Sequence, residues 1–179
     1  SLHLQYLKGL PASRAGFVMF VQPLIVALIS PLVGRLSDRV EPRVLATAGS
    51  LVTMAGLAAL ARVGQASSLG DIGACLVLTG IGFGLFATTN VNAIMASIGR
   101  GQQGIASSVV ATTRVLGQVC SMGLVAVAFS TTLGGAQIEP ANYPLLERAL
   151  GLSFTIAALL CLPCAWCSLV RGRVHVPPG

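Results

Sequence analysis

Long stretches without an ionised side chain constrain this chain more than any other feature. Ala15 to Gly34, Val44 to Ala61, Ile72 to Gly99 and Ala149 to Val170 contain no Asp, Glu, Lys or Arg, and Ile105 to Phe129 is broken only by Arg114. Each is near or above the roughly 20 apolar residues with which a helix crosses a bilayer. Hydrocarbon offers backbone groups no partner, so such stretches form helices, which satisfy their own N–H and C=O groups, rather than open strands. Composition agrees: 9% of the 179 residues are charged, against about 25% in a soluble globular domain. That is too little charge to cover a globule in water, so a soluble enzyme is excluded. The expected fold is an all-α membrane protein with five transmembrane helices, the spans covering about 15–34, 44–62, 72–97, 105–129 and 149–170 of one domain, 1–179.

The joins are short and polar, except that 130–148 is longer and holds the turn formers Gly134, Gly135, Pro140, Asn142 and Pro144. Short loops make neighbouring helices antiparallel. Arg35, Arg39, Arg43, Arg100, Arg171 and Arg173 then fall on one side, and Lys8, Arg14, Arg62 and Arg148, diluted by Asp71, Glu139 and Glu147, on the other. The positive-inside bias makes the 34–43 loop and the C-terminus cytoplasmic and the N-terminus external. The expected location is a cell membrane, of bacterial inner-membrane type. The net charge of +6 is scattered, which suits anionic lipid headgroups and not nucleic acid. Five spans with an external start, and no initiator Met, lead to the expectation that an upstream helix is missing.

Gly34-Arg35-Leu36-Ser37-Asp38-Arg39-Val40-Glu41-Pro42-Arg43 is the most informative loop. Gly34 is expected to let two helices approach at a tight turn. Arg35, Arg39 and Arg43 recur every four residues, which would place three cations on one face of a helical turn. Asp38 would pair with one of them or cap a neighbouring helix N-terminus. A plain positive-inside loop explains the arginines but not the Gly-x-x-x-Asp-Arg spacing.

Gly34-x-x-x-Asp38-Arg39-x-x-x-Arg43 resembles the loop signature of the major facilitator superfamily, in its C-terminal copy. Three other stretches are similar to the fourteen-helix drug:proton antiporter branch: Tyr6 to Gly16, Gly80-x-Gly82-x-Gly84-Leu85-Phe86, and Gly104-Ile105-Ala106-Ser107 with Thr113-Arg114-x-x-Gly117. Their order and spacing agree over nearly the whole chain. The resemblance implies the last five helices of a C-terminal six-helix transporter domain, the N-terminal domain and one helix being absent. It also implies a cytoplasmic latch at Gly34, Asp38, Arg39 and Arg43, with Asp38 engaging a helix terminus of the other domain. Glu41 stands where the family usually has Gly, and Thr89 where relatives commonly have Pro, so the turn at the first and the bend at the second differ from the pattern.

Arg114 is the single charge inside a span. Its insertion costs about 2.5–3.5 kcal/mol at a helix centre. The Leu, Ile, Val and Phe residues of the same span each offset roughly 0.3–0.6 kcal/mol. At about 1.5 Å per residue, Arg114 lies roughly 13 Å and Asn90 about 9 Å from the cytoplasmic ends of their spans, near enough in depth to meet. A fixed cation there would attract an anionic or carbonyl group or hold Asn90; the bland alternative is an arginine snorkelling to the interface. Gln22, Thr79, Thr88, Thr89, Asn90, Asn92, Thr112, Thr113, Gln118 and Ser121 load polarity onto the first, third and fourth spans. Those spans are expected to face the interior, with the second and fifth as a lipid-facing scaffold. Helix-to-helix hydrogen bonding with no ligand explains the same residues equally well. The cavity candidates are Gln22, Asn90, Arg114 and Gln118.

Other patterns carry less. Gly80-Ile81-Gly82-Phe83-Gly84 lacks dinucleotide-loop spacing and reads as a small-residue face for close helix approach. Pro23 and Pro31 predict kinks in the first span. Cys161, Cys164 and Cys167 lie within one helix and read as small apolar fillers. His3 and His175 are terminal and isolated, so no catalytic or metal site and no cofactor is expected. The function the resemblance implies is proton-coupled efflux of small hydrophobic compounds by alternating access, with the bilayer, protons, the small-molecule substrate and an N-terminal domain as partners. Arg114 cannot release its proton, so the coupling carboxylates are expected elsewhere. The alternatives are a non-transporting membrane scaffold or accessory subunit, or a truncated remnant.

Overall fold

The computed structural model describes residues 3–37, 39–64, 67–134 and 142–170. Asp38, Glu139, Arg171, Arg173 and His175, all used above, lie outside the described residues. Five long helices follow one another: α1 (Ala12–Ser37), α2 (Pro42–Leu60), α3 (Leu69–Ala96), α4 (Gln103–Leu133) and α5 (Tyr143–Val170). All five are long and apolar enough to cross a membrane. Each contains its expected span to within a residue or two and mostly runs past it, because helical geometry continues into the polar flanks. A π-helical turn at His3–Leu7 precedes α1, and a 3₁₀ turn at Arg100–Gln102 leads into α4. The described residues include no strand.

Local chemistry sets the helix ends. Pro42 opens α2, where its missing N–H has no intrahelical partner to lose. Glu41 precedes it at φ −57°, ordinary territory for a side-chain-bearing residue, so the turn forms without the family's glycine. Ser68 and Asp71 form a capping box at the start of α3: the Asp71 N–H donates to Ser68 Oγ at 3.1 Å, and the Ser68 N–H donates to Asp71 Oδ2 at 2.8 Å. Gly134 ends α4 in the left-handed conformation, φ 57°. Helix α1 runs on through Pro23 and Pro31, and α3 through Thr89.

Packing runs α1–α3–α2–α5, with α4 resting on α5 and only lightly on α3. The glycine cluster of α3 serves two neighbours. A side chain at Gly80 would meet the Gln22 carbonyl at 3.1 Å, and one at Gly84 would meet Val26 at 3.6 Å, so this pair faces α1. Gly82 points the other way and lies against the Thr53 backbone and the Gly49 carbonyl of α2. Gly49 and Gly56 return the approach, against Phe86 and Thr79. Small residues let backbones approach in lipid, where dispersion and not water exclusion holds helices together. On the far side of α2, the Ser168 hydroxyl of α5 donates to the Arg43 carbonyl at 3.4 Å, while Gly151 abuts Ala61. α2 and α5 are therefore antiparallel.

This arrangement corrects the expected division of labour. α2, read as lipid-facing scaffold, is a central helix: 33% of its core stretch is buried, as in α3, against 6% in α1 and in α4. The polarity argument failed because α2 packs through Ala46, Thr47, Gly49, Ser50 and Gly56, and smallness rather than hydrogen-bonding capacity decides such contacts.

Candidate functional site

The polar residues of α3 divide between structural and open positions. Thr79 donates back to the Cys75 carbonyl at 2.7 Å, as mid-helix hydroxyls do. Thr88 donates to Ser30 Oγ of α1 at 3.3 Å. Thr89 is fully buried, and its hydroxyl has no partner among the described residues. Asn90 donates its amide to the Phe86 carbonyl at 2.9 Å. This fixes the rotamer of a half-buried side chain at the edge of the space between α3 and α4.

That space holds two adjoining clefts. The first, of about 830 Å³, is walled by Phe83, Phe86, Ile94 and Val109, with Asn90 and Arg114 among its polar groups. The second, of about 670 Å³, is lined by Ser30, Thr88, Asn92, Gln118 and Ser121. Arg114 and Phe83 line both. Arg114 lies deep within continuous helix, since α4 begins at Gln103. Asn90, Arg114 and Gln118, three of the four cavity candidates, thus line these adjoining clefts, and the similar depth expected for Asn90 and Arg114 agrees with their sharing the first. Gln22 does not line either one; it is half-buried on α1, where its carbonyl borders Gly80.

Sequence reasoning missed the walls. It followed polar side chains and passed over Phe83, Phe86, Ile94 and Val109, which line the first cleft. The available signal was Phe83 and Phe86, two aromatic residues three apart within the glycine-rich stretch of α3. A third cleft, of about 650 Å³, lies between α3 and α5 and is lined by Phe86, Asn90, Cys164 and Cys167.

At the loop between α1 and α2 the structure changes two expectations. Nothing among the described residues lies within 4 Å of where a Gly34 side chain would begin, so Gly34 marks no close approach among them. The three arginines do not share one helical face either, because α1 ends at Ser37 and α2 starts at Pro42. Arg35 and Arg39 line a small cleft with Leu32 and Leu36. Arg43 belongs to α2 and pairs with Glu41 at 2.9 Å. That pair is about one-third exposed on each side, which puts it among the weak surface ion pairs.

At the opposite end, His3 is half-buried rather than isolated, on a turn packed against α5. Burial pushes its imidazole below the usual value, the nearby Lys8 cation adds to this, and Glu147 opposes it.

The chain resembles known proteins over most of its length. A family model described as Major Facilitator Superfamily matches residues 1–122. The riboflavin transporter RibZ of Clostridioides difficile is 32% identical over 159 residues, covering 89% of this chain and 35% of that protein. The uncharacterized transporter YebQ of Escherichia coli is 33% identical over 125 residues, 70% of this chain and 27% of its own length. The multidrug resistance protein Stp of Mycobacterium tuberculosis is 31% identical over 147 residues, 82% of this chain and 26% of that protein. The chain thus spans about a third or less of the length of these curated relatives.

Proposed function

This chain belongs to the Major Facilitator Superfamily, a family of multi-pass membrane transporters and not of enzymes, and from that we propose that it is part of a C-terminal helical domain of a proton-coupled efflux transporter. The observation that carries this reading is the pair of clefts between α3 and α4, where one guanidinium and several amides and hydroxyls face an otherwise apolar groove. Pockets that bind small organic compounds have this make-up: apolar walls, a few placed polar groups and a volume of about 300–1,000 Å³. The name of the multidrug relative supports export of hydrophobic compounds, and the name of the riboflavin relative adds a flavin as a compound to try.

In this mechanism α1, α3 and α4 turn a polar face toward a second helical domain, and the two domains rock about the central site to expose it alternately to either side of the cell membrane. The loop carrying Asp38, Arg39 and Arg43 is cytoplasmic and latches the two domains in one of those states. Arg114 binds the acceptor groups of the substrate. Proton carriers lie in the other domain, since no carboxylate or imidazole among the described residues of this chain lines either cleft.

Efflux from cells stripped of their own pumps tests the reading. Arg114→Ala in the complete transporter should lower export of at least one compound tenfold or more, about the loss expected when a charged hydrogen-bond partner is removed. Unchanged export of every compound tried removes Arg114, and with it the cleft, from the transport path.

A further inference from the structure

We propose that the α3–α4 site selects amphipathic anions: a flat apolar body lodged against Phe83 and Phe86, its anionic group on the Arg114 guanidinium, and any hydroxylated tail reaching toward Gln118 and Ser121. This rests on the reading of the clefts as the ligand cavity and goes beyond it by naming a charge and a shape.

The argument begins with position. Arg114 lines both clefts, so its cation stands between two mainly apolar compartments, the second of them the richer in hydroxyls and amides. Neither set of lining residues contains Asp, Glu, His or Lys, so the site carries one uncompensated positive charge. Arg114 is exposed in this open groove, and the apolar walls beside it weaken the screening of its charge by water, which strengthens attraction for an anion and repulsion for a cation alike. A guanidinium also offers a carboxylate, sulfonate or phosphate two parallel hydrogen bonds, a geometry that no cation or neutral amine can use. The aromatic rings of Phe83 and Phe86 supply flat apolar surface beside the charge, suited to a ring system. On the other side, Thr88, Asn92, Gln118 and Ser121 offer donors and acceptors to a hydroxylated chain but no formal charge. The two compartments therefore sort a ligand end from end, and Arg114 sets the sign of its charge.

Three matched probes of one shape test this: naphthoate, neutral naphthamide and cationic naphthylmethylammonium. Binding of each is measured by equilibrium dialysis against the complete transporter in zwitterionic lipid nanodiscs, with empty nanodiscs subtracted. Naphthoate should bind at least about tenfold tighter than the ammonium probe, a difference of about 1.4 kcal/mol. Arg114→Lys should keep that order. Arg114→Gln should keep naphthamide binding, which reports an intact cleft, and lose the preference for the anion. A cation bound as tightly as the anion, an order lost in Arg114→Lys, or an anion preference surviving in Arg114→Gln overturns the charge assignment while leaving a ligand cavity in place. Binding of none of the three probes overturns the cavity reading itself.

Discussion

At the scale of single residues, the structure separates polar groups that serve the fold from those left facing open space, and Thr89 belongs to neither class. Most hydroxyls in these helices donate to a carbonyl three or four residues back, as Thr47, Ser50, Thr53 and Thr79 do. Thr89 is fully buried with its hydroxyl unmatched among the described residues. A buried polar group without a partner costs about 1–3 kcal/mol, and Val has nearly the same shape. Thr89→Val should therefore raise the unfolding midpoint in detergent, by an amount corresponding to about 1 kcal/mol or more. A lower midpoint would mean that the hydroxyl has a partner after all. Arg114 illustrates the other outcome. The long uncharged runs make it conspicuous in the sequence, and the structure adds that Asn90 and Gln118 line the same pair of clefts.

At the scale of helices, contact is governed by the size of residues more than by their polarity. α2 and α3 meet where Gly49, Gly56 and Gly82 bring backbone against backbone, and a Cβ on Gly82 would collide with Thr53 and with the Gly49 carbonyl. Overpacking such a contact costs typically about 1–3 kcal/mol, so Gly82→Ala should lower thermal stability by that order. Gly123→Ala is the matched control, because nothing lies within 4 Å of its missing Cβ on the open face of α4. There the better helix propensity of Ala should leave stability unchanged or raise it by up to about 1 kcal/mol. Equal effects at the two positions in a melting experiment would remove the close-packing account of the α2–α3 contact. The helices themselves were legible from charge spacing alone. Their neighbours were not, because the sequence marks a small residue without marking the backbone it will meet; Gly80 and Gly82 are two residues apart and face different helices.

At the scale of the whole molecule, α1 and α4 flank a packed centre and keep most of their surface open: Phe17 is 77% exposed and Met122 72%. Lipid covers apolar side chains such as these, but it is a poor cover for Arg114, Gln118 and Ser121, which lie on the same helix as Met122. With the proposed second domain on that side, the polar face is covered and the cavity closes. The 179-residue chain by itself should then catalyse no proton-driven uptake in liposomes; measurable uptake would show that the second domain is dispensable. What the sequence alone determined is the solvent and the elements: five helices in lipid, their approximate ends, the family resemblance and the conspicuous charge at Arg114. Those follow from local chemistry, because a run of uncharged residues, a proline or a capping serine acts over a few positions. Tertiary structure alone decided that α2 is central, that a side chain at Gly34 would meet nothing among the described residues, and that Phe83 and Phe86 wall the clefts beside Arg114. Each of these depends on which surfaces meet across the bundle, and helix rotation and partner choice arise from packing summed over many weak contacts that no short motif encodes.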